Sequence, residues 1–89
     1  MRIKDGFVKQ QVGDVTIVVA IGELGKEFHS MIQLNHTAAD IWDWLAQGIS
    51  GEDVAKLLAE KYSIDLSRAH KDAWKIIDKM ISAGVVEDD

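Results

Sequence analysis

The apolar residues of this chain recur at every second position as far as Leu34 and at every third or fourth position beyond Asn35. A strand turns successive side chains to opposite faces, whereas a helix returns them to one face after roughly 3.6 residues. One element cannot carry both patterns, so the chain must change architecture at Leu34-Asn35. Strands come first and helices follow.

In the strand portion, "GFVKQQV" and "DVTIVVAI" meet at Gly13-Asp14. They predict a β-hairpin of Phe7 to Val12 and Val15 to Ile21, with Gly13 supplying the positive φ of a tight turn. Within its second strand, Val15, Ile17, Val19 and Ile21 fall on one face and Thr16, Val18 and Ala20 on the other, as in a strand with one face more fully buried. After the loop "GELGKE", the segment "FHSMIQL" predicts a third strand. Phe28, Ser30, Ile32 and Leu34 share one of its faces, and His29, Met31 and Gln33 share the other.

Three helices follow. Asn35 is a good N-cap for a first helix from His36 to Gln47, whose stripe of Ala38, Ile41, Trp42 and Leu45 ends at Gly48, with Ile49 placed for the apolar contact of a Schellman ending. Trp42 belongs to the core stripe, and Trp44 lies at its border, partly buried. Ser50 and Asp53 form a capping pair for a second helix that buries Val54, Leu57, Leu58 and Tyr62. Asp65 caps a third helix ending at Gly84, with Ile64 and Ala69 as its hydrophobic staple. Its core face carries Leu66, Ala69, Ala73, Ile77, Met80 and Gly84, all within about 40° of the face's centre at roughly 100° per residue. The closing "VVEDD" folds two apolar residues back and leaves three acids in solvent. The result is an α+β fold of the winged helix-turn-helix type, a three-stranded antiparallel sheet followed by three helices (βββααα). Such a sheet has two edges with unpaired N–H and C=O groups.

A chain of 89 residues holds one domain, because two halves would each lack an adequate interior. No apolar run approaches the roughly 20 residues of a membrane helix. "MRIKDGFVKQQ" contains no apolar signal segment, so a cytoplasmic location is expected. Cysteine is absent, which removes disulfides, thiolate metal sites and cysteine nucleophiles. His29, His36 and His70 match no zinc spacing. No phosphate-binding glycine loop precedes a helix, and no serine nucleophile elbow occurs. The expectation is a binding module with no metal and no cofactor, not an enzyme.

Residues 1–34 carry four basic and four acidic side chains, so the whole net charge of −5 lies in residues 35–89, with six basic against eleven acidic. Nucleic-acid binders show the opposite bias. Arg68, Lys71, Lys75 and Lys79 nevertheless stand on the outer side of the third helix, interspersed with Asp72 and Asp78. They read either as a solvated face with i,i+4 neighbours or as a basic rail for an acidic peptide or a phosphate backbone. The latter keeps winged-helix DNA binding through the third helix as the alternative function. Trp74 and Ile81, seven residues apart, sit about 90° from the core centre of that helix. They are either covered by the sheet or the N-terminal segment, or form the wall of a half-open groove.

The stretches "QLNHTAADIWDWLAQGISGEDVAKLLAEKY" and "DAWKIIDKMISAGVVE" resemble the PqqD-like family, the peptide-recognition elements of pathways that modify ribosomally made peptides. The resemblance runs from Gly6 to Glu87 and rests on Leu34-Asn35, Thr37, Ile41-Trp42, Leu45, Gly48, Asp72 and Ala83-Gly84-Val85-Val86. It implies the same βββααα fold. It also implies that the leader segment of a precursor peptide adds as an antiparallel strand to the third strand, in the cleft beside the third helix, and is presented to a separate modifying enzyme, often of the radical S-adenosylmethionine type. The residues expected to meet the leader are Ser30, Met31, Ile32 and Gln33 on the strand and Lys71, Trp74, Lys75, Asp78 and Ile81 on the helix, with either flank of that helix open as the one facing the cleft. Against the family's polar pattern, Trp74 and Ile81 enlarge the apolar surface. A homodimer, or docking to an enzyme through the exposed edge, is the remaining alternative.

Overall fold

The computed structural model describes residues 1–21 and 32–87, and the change of sequence period falls at a strand-to-helix junction. The elements are β1 (Arg2–Ile3), β2 (Phe7–Val12), β3 (Val15–Ala20), β4 (Ile32–Leu34), α1 (His36–Ala46), α2 (Gly51–Tyr62), α3 (Leu66–Ser82) and β5 (Val86–Glu87). β2, β3 and β4 form the antiparallel sheet in that order. The hairpin turns at Gly13, whose φ of 63° suits a residue without Cβ.

β4 is the third strand of the sequence reading. Its part from Phe28 to Met31 lies outside the described residues. Ile21 lies just beyond β3, although its N–H still donates to the Gly6 carbonyl at 2.7 Å. Register fixes the faces: Val18 stands opposite Ile32, and Thr16 opposite Leu34. Val18 and Leu34 are buried, so their face meets the helices. The more apolar set, Val15, Ile17, Val19 and Ile21, points away from them. Period two identifies the two faces of a strand but not which one the helices cover.

The caps act as expected at two helix starts. Asn35 Oδ1 accepts from the Ala38 N–H at 2.8 Å, and Ser50 Oγ from the Asp53 N–H at 3.2 Å. Asp65 precedes α3 without a side-chain capping hydrogen bond. α1 and α3 both end in Schellman geometry: Ile49 N–H reaches the Trp44 carbonyl at 3.1 Å and Val85 N–H the Met80 carbonyl at 3.0 Å.

The core gathers Val18, Ile41, Leu45, Val54, Leu58, Ile77 and Val85, with Trp42 also buried. Leu66 departs from expectation. It occupies the first position of α3, where the chain has only just left its turn, and is 53% exposed. A second, two-stranded sheet pairs β1 with β5, setting Arg2 opposite Glu87 and Ile3 opposite Val86. The ends of the described chain therefore pair with each other, and Val86 is buried beneath them. No described helix is long and apolar enough to cross a membrane.

Candidate functional site

Because β4 is the last strand of its sheet, one of its two edges pairs with β3 and the other, among the described residues, pairs with no strand. Alternate residues of such an edge direct N–H and C=O groups outward. Facing this edge is α3, and between them lies a cavity of about 220 Å³. Its sheet wall is Val18 with Ile32, Gln33 and Leu34. Asn35, Ala38 and Trp42 contribute from α1 and its cap. Ile76, Lys79, Met80 and Ala83 contribute from α3, and Val85 from the segment after it. The walls are mainly apolar, and polar groups stand only at Gln33, Asn35 and Lys79.

Those three groups differ in availability. The Asn35 side chain is committed to capping α1. Gln33 and Lys79 are exposed, and neither makes a side-chain hydrogen bond or ion pair among the described residues. The cleft thus offers a backbone edge, one apolar recess and the free polar side chain of Lys79, while Gln33, paired with Ile17, turns its side chain to the outer sheet face. An extended peptide uses all three: its backbone pairs with the edge, and alternate side chains enter the recess.

Of the residues singled out from sequence, Ile32 and Gln33 line the cavity. Ser30 and Met31 lie outside the described residues. Lys71, Trp74, Lys75, Asp78 and Ile81 do not line it. Trp74 lies on the opposite flank of α3, against the start of α2, where an added Cβ on Gly51 would meet Trp74 Cζ2 at 2.5 Å. Its ring centroid is 6.2 Å from that of His70, and His70 Nε2 lies 3.2 Å from Glu52 Oε1 on α2. Ile81 shares that flank, while Lys71, Lys75 and Asp78 are exposed. The flank that does face the cavity carries Ile76, Met80 and Ala83, spaced four and three residues apart, a second apolar row that the size of Trp74 and Ile81 outweighed in the sequence. Arg68, also on the outer side of α3, is paired with Asp72 at 3.6 Å.

Asp40 on α1 anchors the end of α2 nearby. It accepts from the Tyr62 hydroxyl at 2.5 Å and from Lys61 Nζ at 2.8 Å. Burial opposes its charge, but the hydrogen bonds from Lys61 and Tyr62 outweigh that and hold its carboxyl below the ordinary value. No group of three His, Cys, Asp or Glu residues that could hold a metal occurs among the described residues.

Comparison with known proteins identifies the family and the fold. The family model of Coenzyme PQQ synthesis protein D (PqqD) matches residues 17–86. No curated protein matches the chain significantly in sequence. Two solved structures share its fold closely. One is a lasso peptide synthetase B1 complexed with the leader peptide, 25% identical, with a TM-score of 0.79 over 98% of this chain and 96% of that one. The other is TbiB1 in complex with the TbiA(beta) leader peptide, 20% identical, with a TM-score of 0.80 over 98% of this chain and 95% of that one.

Proposed function

This chain belongs to the PqqD family, and from that premise and its cleft we propose that it is a non-catalytic module that captures the leader segment of a ribosomally made precursor peptide. The leader adds as an antiparallel strand to the free edge of β4 and lies against the Ile76–Ala83 flank of α3. Main-chain hydrogen bonds supply affinity, and the recess beneath Ile32, Ile76 and Met80 selects an apolar side chain. Lys79 at the mouth orients polar groups of the leader. The observation that carries this reading is a β4 edge that pairs with no strand among the described residues, beside an apolar cavity. A lasso peptide synthetase B1 of the same fold, 25% identical, is itself bound to a leader peptide, which supports the same class of ligand here.

Holding the leader raises the effective concentration of the attached core at a separate modifying enzyme of the radical S-adenosylmethionine type. The module's part is positional, and the chemistry lies on the enzyme. Titration with synthetic leader peptides of candidate precursors, followed by amide shifts, tests the proposal. The largest shifts are expected at Ile32–Leu34 and along Ile76–Ala83. Shifts confined to the outer sheet face, or to the Lys71 and Lys75 side of α3 on adding duplex DNA alone, would overturn it in favour of another ligand.

A further inference from the structure

The flank of α3 that faces the cleft does not end with the first cavity. One turn further toward the start of the helix come Asp72 and Arg68, which line a second cavity of about 290 Å³. Steps of three and four residues drift slowly round a helix, so Ile76, Ala83 and Asp72 lie along one flank, with Met80 at its core border and Arg68 at its outer border. The first turn of α1 stands between the cavities and serves both, with Asn35 and Ala38 on one side and Thr37 on the other. Leu58, Tyr62 and Ile64 complete the second cavity. Its aromatic wall is held in place, because the Tyr62 hydroxyl is bonded to Asp40 on α1.

We infer that this second cavity is a subsite for the same extended peptide, taking a bulky apolar or aromatic side chain that lies N-terminal to the one filling the first. The inference rests on the leader-binding reading above. Its direction follows from pairing: a strand antiparallel to β4 has its earlier residues at the Leu34 end, where the chain passes into Asn35 and α1. The α3 residues lining the two cavities are centred about nine positions apart, or about 14 Å at a rise of ~1.5 Å per residue. An extended peptide covers that distance in about four residues. An even step keeps both side chains on one face of the added strand. The Arg68 and Asp72 pair at the rim leaves the mouth polar, and the apolar contacts lie deeper, at the buried Leu58 and the half-buried Ile64.

A display library of random peptides long enough to span both cavities tests this. Selection on the unaltered protein is expected to enrich sequences with two bulky apolar positions about four apart. Selection on Thr37→Trp, whose indole fills the second cavity, is expected to retain only the C-terminal of those positions, with affinity for two-anchor peptides falling about tenfold. Arg68→Trp, at the exposed rim, gives the same readout by a second block should Thr37→Trp fail to fold. Identical enrichment and affinity on the blocked and unaltered proteins overturn the second subsite. In that outcome, loss of all enrichment on Ile76→Trp, which fills the first cavity, still leaves the β4 cleft as the peptide site. Enrichment that survives Ile76→Trp overturns the cleft and the second subsite together.

Discussion

Gly51 shows how a single residue can be fixed by a contact remote in sequence. It is the first residue of α2, where the helix itself would accept many side chains, yet Trp74 lies over it so closely that a Cβ would fall 2.5 Å from Cζ2, 2.8 Å from Cη2 and 3.1 Å from Met1 Cε. A ring seated this closely on a neighbouring helix has little room to move. Gly51→Ala is therefore expected to lower stability by about 1–3 kcal/mol in urea denaturation, the usual cost of overpacking. An unchanged midpoint would show that the ring yields. Asp40 allows a second test, because its pKa is lowered in the fold while those of Lys61, through its bond to Asp40, and Tyr62, through the same carboxylate, are raised. A lowered carboxyl contributes stability above its unfolded value and loses it as pH falls through the folded one; raised groups contribute below their unfolded values and lose it as pH climbs through the folded ones. The stability lost in Asp40→Asn is expected to be constant between about pH 5 and 9 and to shrink on both sides. A loss that grows in acid would contradict the assignment. The capping roles of Asn35 and Ser50 were legible from sequence because they depend on residues three positions away. Gly51 was not, because its constraint comes from another helix.

At the scale of elements, α3 carries the main lesson. Its core face is evident from periodicity, and Ala69, Ala73, Ile77 and Met80 are buried as the sequence indicates. The two flanks are another matter, because both are apolar: Trp74 and Ile81 on one, Ile76 and Ala83 on the other. Helical spacing fixes the angle between the flanks but carries no information on which neighbour each will meet. The start of α2 covers the Trp74 flank, and the other is left to face β4. Trp74→Ala is accordingly expected to lower stability by about 2–3 kcal/mol, less than for a fully buried tryptophan because the ring is only half-buried, and to leave peptide affinity within about twofold. Ala83→Trp, at the exposed mouth of the cleft, is expected to do the reverse, preserving the melting temperature and weakening peptide binding about tenfold or more. Calorimetric titration beside thermal melts of both variants separates the flanks, and a binding loss confined to Trp74→Ala would return the cleft to the other side.

At the scale of the molecule, the winged helix-turn-helix plan was legible because each element is long enough to display its period. The β1–β5 pair was not, since two-residue strands show no alternation. That pair nevertheless bears on function. By joining Arg2 to Glu87, through a salt bridge of 2.9 Å, it engages the ends of the described chain with each other instead of with β4. Among the described residues the β4 edge beside α3 pairs with no strand, and its availability is the claim on which peptide capture depends. The most direct measurement is a set of nuclear Overhauser contacts between isotope-labelled protein and an unlabelled leader peptide. Cross-strand contacts from the peptide backbone to Ile32, Gln33 and Leu34 are expected, in antiparallel register, together with side-chain contacts to Ile76 and Ala83. A peptide bound as a helix, or one touching Trp74 and Ile81 with no contact to β4, would contradict strand addition at this edge.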